Sequence, residues 1–120
     1  MNQKGTNKSM PGKFELKVAK DGQVFFNLKA ANGEVILTSE MYKSRASALK
    51  GIESVRKNSA TAARFARKTN KAGKPYFVLT AANHQVIGQS EAYDSDKACD
   101  GGIKSVIKSA PKAALSDTTR

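Results

Sequence analysis

Ala30-Ala31-Asn32-Gly33-Glu34-Val35-Ile36-Leu37-Thr38-Ser39-Glu40-Met41-Tyr42 returns fifty-one residues later as Ala81-Ala82-Asn83-His84-Gln85-Val86-Ile87-Gly88-Gln89-Ser90-Glu91-Ala92-Tyr93. Followed outward in both directions, the correspondence carries residues 14–59 onto 65–110 without a gap, and 20 of those 46 positions are identical. Chance alone gives only a few matches over such a length. The chain is therefore a tandem duplication of one supersecondary unit.

The period of the apolar residues changes within each unit. Phe14, Leu16 and Val18 alternate with polar neighbours, Asp21-Gly22 supplies a turn, and Val24, Phe26, Leu28 and Ala30 alternate again, as in two half-buried strands joined by a hairpin. Asn32-Gly33 is a strong signal for a two-residue type I′ turn, and Glu34 to Thr38 then form a third strand. Beyond Tyr42 the spacing becomes helical. Ser44 is placed to cap a helix whose Ala48, Ile52 and Val55 share one face, and Ser95, Cys99, Ile103 and Val106 repeat the arrangement.

The departures between copies carry information. Arg67 stands where the first copy has Leu16, which marks the second copy's first strand as a sheet edge or sends the guanidinium to solvent. His84 replaces Gly33 in a turn that favours positive φ. Gly51 and Gly102 interrupt both helices, at a cost of about 1 kcal/mol each relative to alanine, and a close approach of helix to sheet explains them.

One unit of this size buries too little apolar surface to be stable alone. The Ala-rich connection from Asn58 to Arg64 is too short to be a flexible linker. The expected fold is thus α+β: two tandem β-β-β-α(-β) repeats related by a pseudo-two-fold axis, sharing one antiparallel sheet with both helices on one face. Residues 13–110 form one domain in this reading, built of repeat 1 (14–59) and repeat 2 (65–110), with flexible tails at 1–12 and 111–120.

The blocks Leu28 to Glu34, Thr38 to Tyr42 and Gly51 to Val55, with their second-copy counterparts, resemble the YegP-like family of small bacterial proteins, a domain of unknown function. The resemblance covers both repeats, about residues 13–110. It implies that two β-β-β-α-β units form a single sheet and exchange their last strands. That fourth strand is not visible in the periodicity, and the segments near Thr61–Phe65 and Ala113–Leu115 would have to supply it. The family brings no catalytic or binding residues.

Twenty-one basic residues against ten acidic ones give a net charge of +11, enough to attract polyanions non-specifically. The single cysteine allows no intramolecular disulfide, and no stretch is apolar for the length of a membrane span, so a cytoplasmic protein without membrane association is expected. One histidine and one cysteine leave little for nucleophilic or metal chemistry. His84 reads as an exposed turn residue and Cys99 as a small core residue at the position of Ala48. No catalytic residue, metal site or cofactor is assigned, and the chain is expected to be a non-enzymatic monomer, a pseudo-dimer of its own repeats.

Two candidate sites remain. The duplicated Ser39, Glu40 and Tyr42 with Ser90, Glu91 and Tyr93 are either paired ligand segments or residues that cap and pack; capping and packing account for the residue types without a ligand. Arg56, Lys57, Arg64, Arg67, Lys68, Lys71 and Lys74 form a basic run without intervening acidic residues, a candidate contact for nucleic acid. The leading expectation is a protein- or peptide-binding or structural accessory module that uses a sheet edge or the helix-free sheet face, where Phe25, Tyr76 and Val78 are more apolar than solvent requires. Weak nucleic-acid binding and small-ligand binding are the alternatives.

Overall fold

A computed structural model describes residues 12–119. Seven strands run in chain order as β1 (Lys13–Val18), β2 (Val24–Lys29), β3 (Val35–Ser39), β4 (Phe65–Thr69), β5 (Pro75–Thr80), β6 (Val86–Gln89) and β7 (Ala114–Asp117). Helix α1 (Arg45–Asn58) follows β3, helix α2 (Asp96–Ser109) follows β6, and a 3₁₀ turn at Ala62–Arg64 leads into β4. The expected N-terminal tail, 1–12, lies outside the described residues except for Gly12.

All seven strands form one sheet in the order β4-β5-β6-β3-β2-β1-β7. The two meanders meet where β3 and β6 pair antiparallel, Thr38 opposite Gln89 and Ser39 opposite Gly88. Thr38 and Gln89 are equivalent positions of the two repeats, so the pseudo-two-fold axis passes through that pair. Three expectations about the strands need correction. Near Thr61–Phe65, the expected place of a fourth strand in repeat 1, the chain forms the 3₁₀ turn Ala62–Arg64 and then enters β4. The sheet is mixed, because β7 runs parallel to β1 with Phe14 opposite Leu115 and Leu16 opposite Asp117. Residues 111–120, expected as a tail, instead carry β7.

The strand β7 has weak local preference for its conformation and is held by what it meets. The Thr118 N–H donates to the Leu16 carbonyl at 3.0 Å, Arg56 Nη2 donates to the Ala113 carbonyl at 2.7 Å, and Arg45 Nε donates to the Asp117 carboxylate at 2.7 Å. Each partner lies about sixty to a hundred positions away in sequence, or on a helix whose docking is itself tertiary, so nothing local announces the strand.

The four hairpins use one loop design, not the expected type I′ turn. In the loop at Ala30 the Gly33 N–H donates to the Ala30 carbonyl and the Ala30 N–H donates to the Glu34 carbonyl. The loops starting at Ala19, Asn70 and Ala81 repeat these bonds. In each loop the residue two positions before the second strand takes positive φ: Gly22, Gly33, Gly73 and, at φ 72°, His84.

The helices start as expected, with the Ser47 N–H donating to Ser44 Oγ and the Ala98 N–H to Ser95 Oγ. Both lie on one face of the sheet and reach across the repeat boundary: α1 packs on β2, β5 and β6, and α2 on β5 and β3. Phe14, Leu16, Phe26, Leu28, Leu37, Phe77, Leu79, Ala48, Val55, Cys99 and Val106 make one fully buried core. Its aromatic contacts are duplicated too: Phe26 stacks on Tyr42 at 6.3 Å between centroids, and Phe77 on Tyr93 at 6.2 Å.

Candidate functional site

The pseudo-two-fold axis brings the duplicated serines and glutamates together. Thr38, Ser39, Glu40, Gln89, Ser90 and Glu91 line one open pocket of about 370 Å³. The two serines are committed to the backbone. Phe26 N–H donates to Ser39 Oγ at 2.9 Å, which donates to the Glu40 carbonyl at 2.8 Å; Phe77, Ser90 and Glu91 repeat both bonds at the same lengths. Each serine bridges two strands where the ladder ends. Glu40 and Glu91 are exposed, and among the described residues neither carboxylate forms an ion pair.

Tyr42 and Tyr93 do not join that pocket. Each is half-buried against its helix, with its hydroxyl in the space a Cβ on Gly51 or Gly102 would fill, at 2.3 and 2.1 Å respectively. Loss of hydration raises the pKa of both phenols, and the neighbouring Glu40 adds to the effect at Tyr42. The Ser-Glu-x-Tyr segment is thus split: the serines fasten strands, the tyrosines pack, and the glutamates face solvent. Among the described residues no three His, Cys, Asp or Glu side chains cluster as a metal centre would need. Cys99 is fully buried and burial raises its thiol pKa, while His84 is an exposed loop residue.

The basic run is dispersed. Arg56 is half-buried near β1, its guanidinium 5.3 Å over the Phe14 ring and bonded to Glu53 and the Ala113 carbonyl. Lys57 lies across α1 near the loop at Ala81–Asn83. Arg64, Arg67, Lys68, Lys71 and Lys74 lie on and beside β4, at the opposite end of the strand order from β7. Arg67 pairs with Asp100 and Lys74 with Asp94. The seven side chains therefore do not make one stripe, although five of them share the β4 edge.

That edge is open. In an antiparallel ladder, alternate residues direct both main-chain groups toward the same neighbour. Phe77 spends its N–H on Ser90 Oγ and its carbonyl on the Ser90 N–H, both toward β6. Arg67, opposite Phe77 in β4, accordingly turns its own N–H and carbonyl away from β5. Among the described residues no strand pairs with that outer side. Leu16, the equivalent of Arg67, turns the same way, and there the Leu16 carbonyl accepts from Thr118 beside β7.

The model of a domain of unknown function, DUF1508, matches this chain twice, over residues 19–65 and 70–117. The chain belongs to the DUF1508 family. It is 56% identical over 108 residues to the UPF0339 protein PA0329 of Pseudomonas aeruginosa, covering 90% of this chain and 98% of that one. The UPF0339 protein YegP of Yersinia pestis is 53% identical over 108 residues, with 90% and 96% covered. Two solution structures share the fold: yegP from E. coli (TM-score 0.87, 49% identity, 92% of this chain and 95% of that one) and the UPF0339 protein SO3888 from Shewanella oneidensis (TM-score 0.85, 50% identity, 92% and 93%).

On the helix-free face of this DUF1508 chain, Lys17 lies across from Phe25 and Lys68 across from the equivalent Tyr76. Phe25 and Tyr76 are half-exposed, whereas Val78, expected at the surface, is only 3% exposed and sits outside the main core cluster. Glu15 on the same face is surrounded by Lys13, Lys17 and Lys29, and Lys29 above all lowers its pKa. No helix among the described residues is long and apolar enough to cross a membrane. The open edge was legible only in outline, through Arg67 in place of Leu16; its vacancy depends on where β7 goes.

Proposed function

We propose that this DUF1508 chain is a non-enzymatic binding module that engages a protein partner through the outer edge of β4. One observation carries the reading: on the exposed strand β4, the outward main-chain groups of Arg67 meet no strand among the described residues, and such an edge is a template for an added strand. Natural edges are shielded by charge, and Arg67 and Lys68 supply it here, which restricts pairing to partners that complement it. The test is site-specific photo-crosslinking in the native host, with the crosslinker at position 68 or, as control, at position 104 on exposed α2. A discrete protein adduct at 68 and none at 104 supports the reading; equal labelling at both, or none at 68, rejects it.

A second reading is favoured by the duplicated Lys17–Phe25 and Lys68–Tyr76 pairs. Two aromatic rings flanked by lysines on a helix-free sheet suit a single-stranded nucleic acid, by base stacking and phosphate contact. Anisotropy titrations of a twelve-nucleotide single strand and the matching duplex at two salt concentrations decide it. Preference for the single strand that persists at physiological salt supports stacking, and loss of binding there leaves only charge attraction.

A further inference from the structure

We infer that the β4 edge receives an extended acidic segment in parallel orientation, as β1 receives β7. This rests on the proposed binding role of the edge and names its ligand. The precedent lies within the molecule. β1 and β4 are equivalent strands of the two repeats, and β1 already holds a parallel partner, with Lys13 opposite Ala114 and Leu16 opposite Asp117. Arg67 repeats the outward main-chain geometry of Leu16. One of two equivalent edges is filled from within the chain, and the other has no strand among the described residues.

The charge chooses the occupant. The sequence contains no acidic residue from 54 to 90, and Arg64, Arg67, Lys68, Lys71 and Lys74 all fall on or beside β4. Asp100 and Asp94 answer only Arg67 and Lys74. A second copy of β4 would set these cations against their own kind. A second copy of β7 would lack its clamps, because the counterparts of Arg45 and Arg56 are Asp96 and Ile107. The cations at this edge come from the strand itself and its hairpin, so they favour a segment with carboxylates along its length, alternating with apolar residues as a strand on an edge requires.

The test uses the full chain and an eight-residue peptide alternating valine and glutamate, carrying an amino-terminal nitroxide, with a valine–lysine peptide as control. Amide spectra are expected to shift at Arg67 and Thr69 with β7 unchanged, and the nitroxide to broaden Phe65 more than Thr69. Arg67→Pro removes an outward N–H without breaking the β4–β5 ladder, and should weaken binding about tenfold. Lys68→Glu with Lys71→Glu, which leaves the backbone intact, should weaken it about fivefold. The inference is overturned by equal binding of the valine–lysine peptide, by shifts confined to another surface, by stronger broadening at Thr69, or by dimerisation through β4 in sedimentation. Protein adducts at position 68 with no binding of the valine–glutamate peptide would reject this ligand and leave the binding role standing; absent adducts would reject that role itself.

Discussion

Leu37 occupies the space that Gly88 leaves. The two are equivalent positions of the repeats, one step from the pseudo-two-fold axis, and a Cβ on Gly88 would lie 2.7 Å from both Cγ and Cδ2 of Leu37. Leu37 is 1% exposed. An interface between repeats has room for one leucine near its axis, so the duplicated sequence has diverged where symmetry would place two bulky side chains in contact. Gly88→Leu should therefore destabilise the chain by about 1–3 kcal/mol through overpacking. Adding Leu37→Gly should recover part of that loss, measured as non-additive urea midpoints for the single and double variants. Additive effects would show that the two positions do not share one space.

Gly51→Ala ordinarily stabilises a helix by about 1 kcal/mol. Here the new methyl would meet the Tyr42 hydroxyl at 2.3 Å and Phe26 Cε2 at 3.1 Å, and the stacked ring has little freedom to withdraw. A net loss of about 1–3 kcal/mol is expected. Tyr42→Leu should reduce the penalty in the double variant, read by thermal unfolding. A more stable Gly51→Ala protein would remove the packing account of both helical glycines.

Ser39→Ala leaves the buried Phe26 N–H without its acceptor. The expected cost is about 1–3 kcal/mol, with a similar value for Ser90→Ala because the second bond is the same. Glu40→Gln, at an exposed carboxylate, should change stability by less than about 0.5 kcal/mol. Chemical denaturation of the three variants separates the structural serines from their solvent-facing neighbours.

The Asp117 pKa lies at about 2, held down by hydrogen bonds from Thr119 and then by Arg45. Its folded value is below that of an unfolded aspartate near 3.8. Its stabilising contribution is therefore complete above about pH 4 and lost as the pH falls toward 2. The amides of Ser116 and Thr118, which alternate toward β1, should lose exchange protection in that window before β5 does. Asp117→Asn should lose the pH dependence in the same window; an unchanged acid profile would place the release elsewhere.

Neither half should stand alone. Each helix packs on strands of the other repeat, and one core contains side chains of both. The full chain should unfold in one cooperative transition. Residues 1–60 alone should be unfolded or should dimerise to replace the missing repeat, as sedimentation would show. Two transitions, or a folded monomeric half, would contradict the shared core.

The sequence by itself determined the elements whose cause is local. Alternation fixed the faces of β1, β2 and β5; Ser44 and Ser95 marked both helix starts; and the repeat carried each assignment from one copy to the other. Arg67 at the place of Leu16 already indicated an edge. The tertiary structure decided the rest. Asn32-Gly33 satisfies more than one hairpin loop, and the choice among them depends on strand register. The segment Ala114–Asp117 is a strand because the β1 edge, Arg45 and Arg56 surround it, and its parallel direction follows from the position in which α2 leaves it. Glu40 and Glu91 meet across one pocket only because β3 pairs with β6. Which of β1 and β4 is covered among the described residues is likewise a property of the assembled sheet: the two strands present the same outward main chain, and the path of the chain after α2 carries β7 to β1.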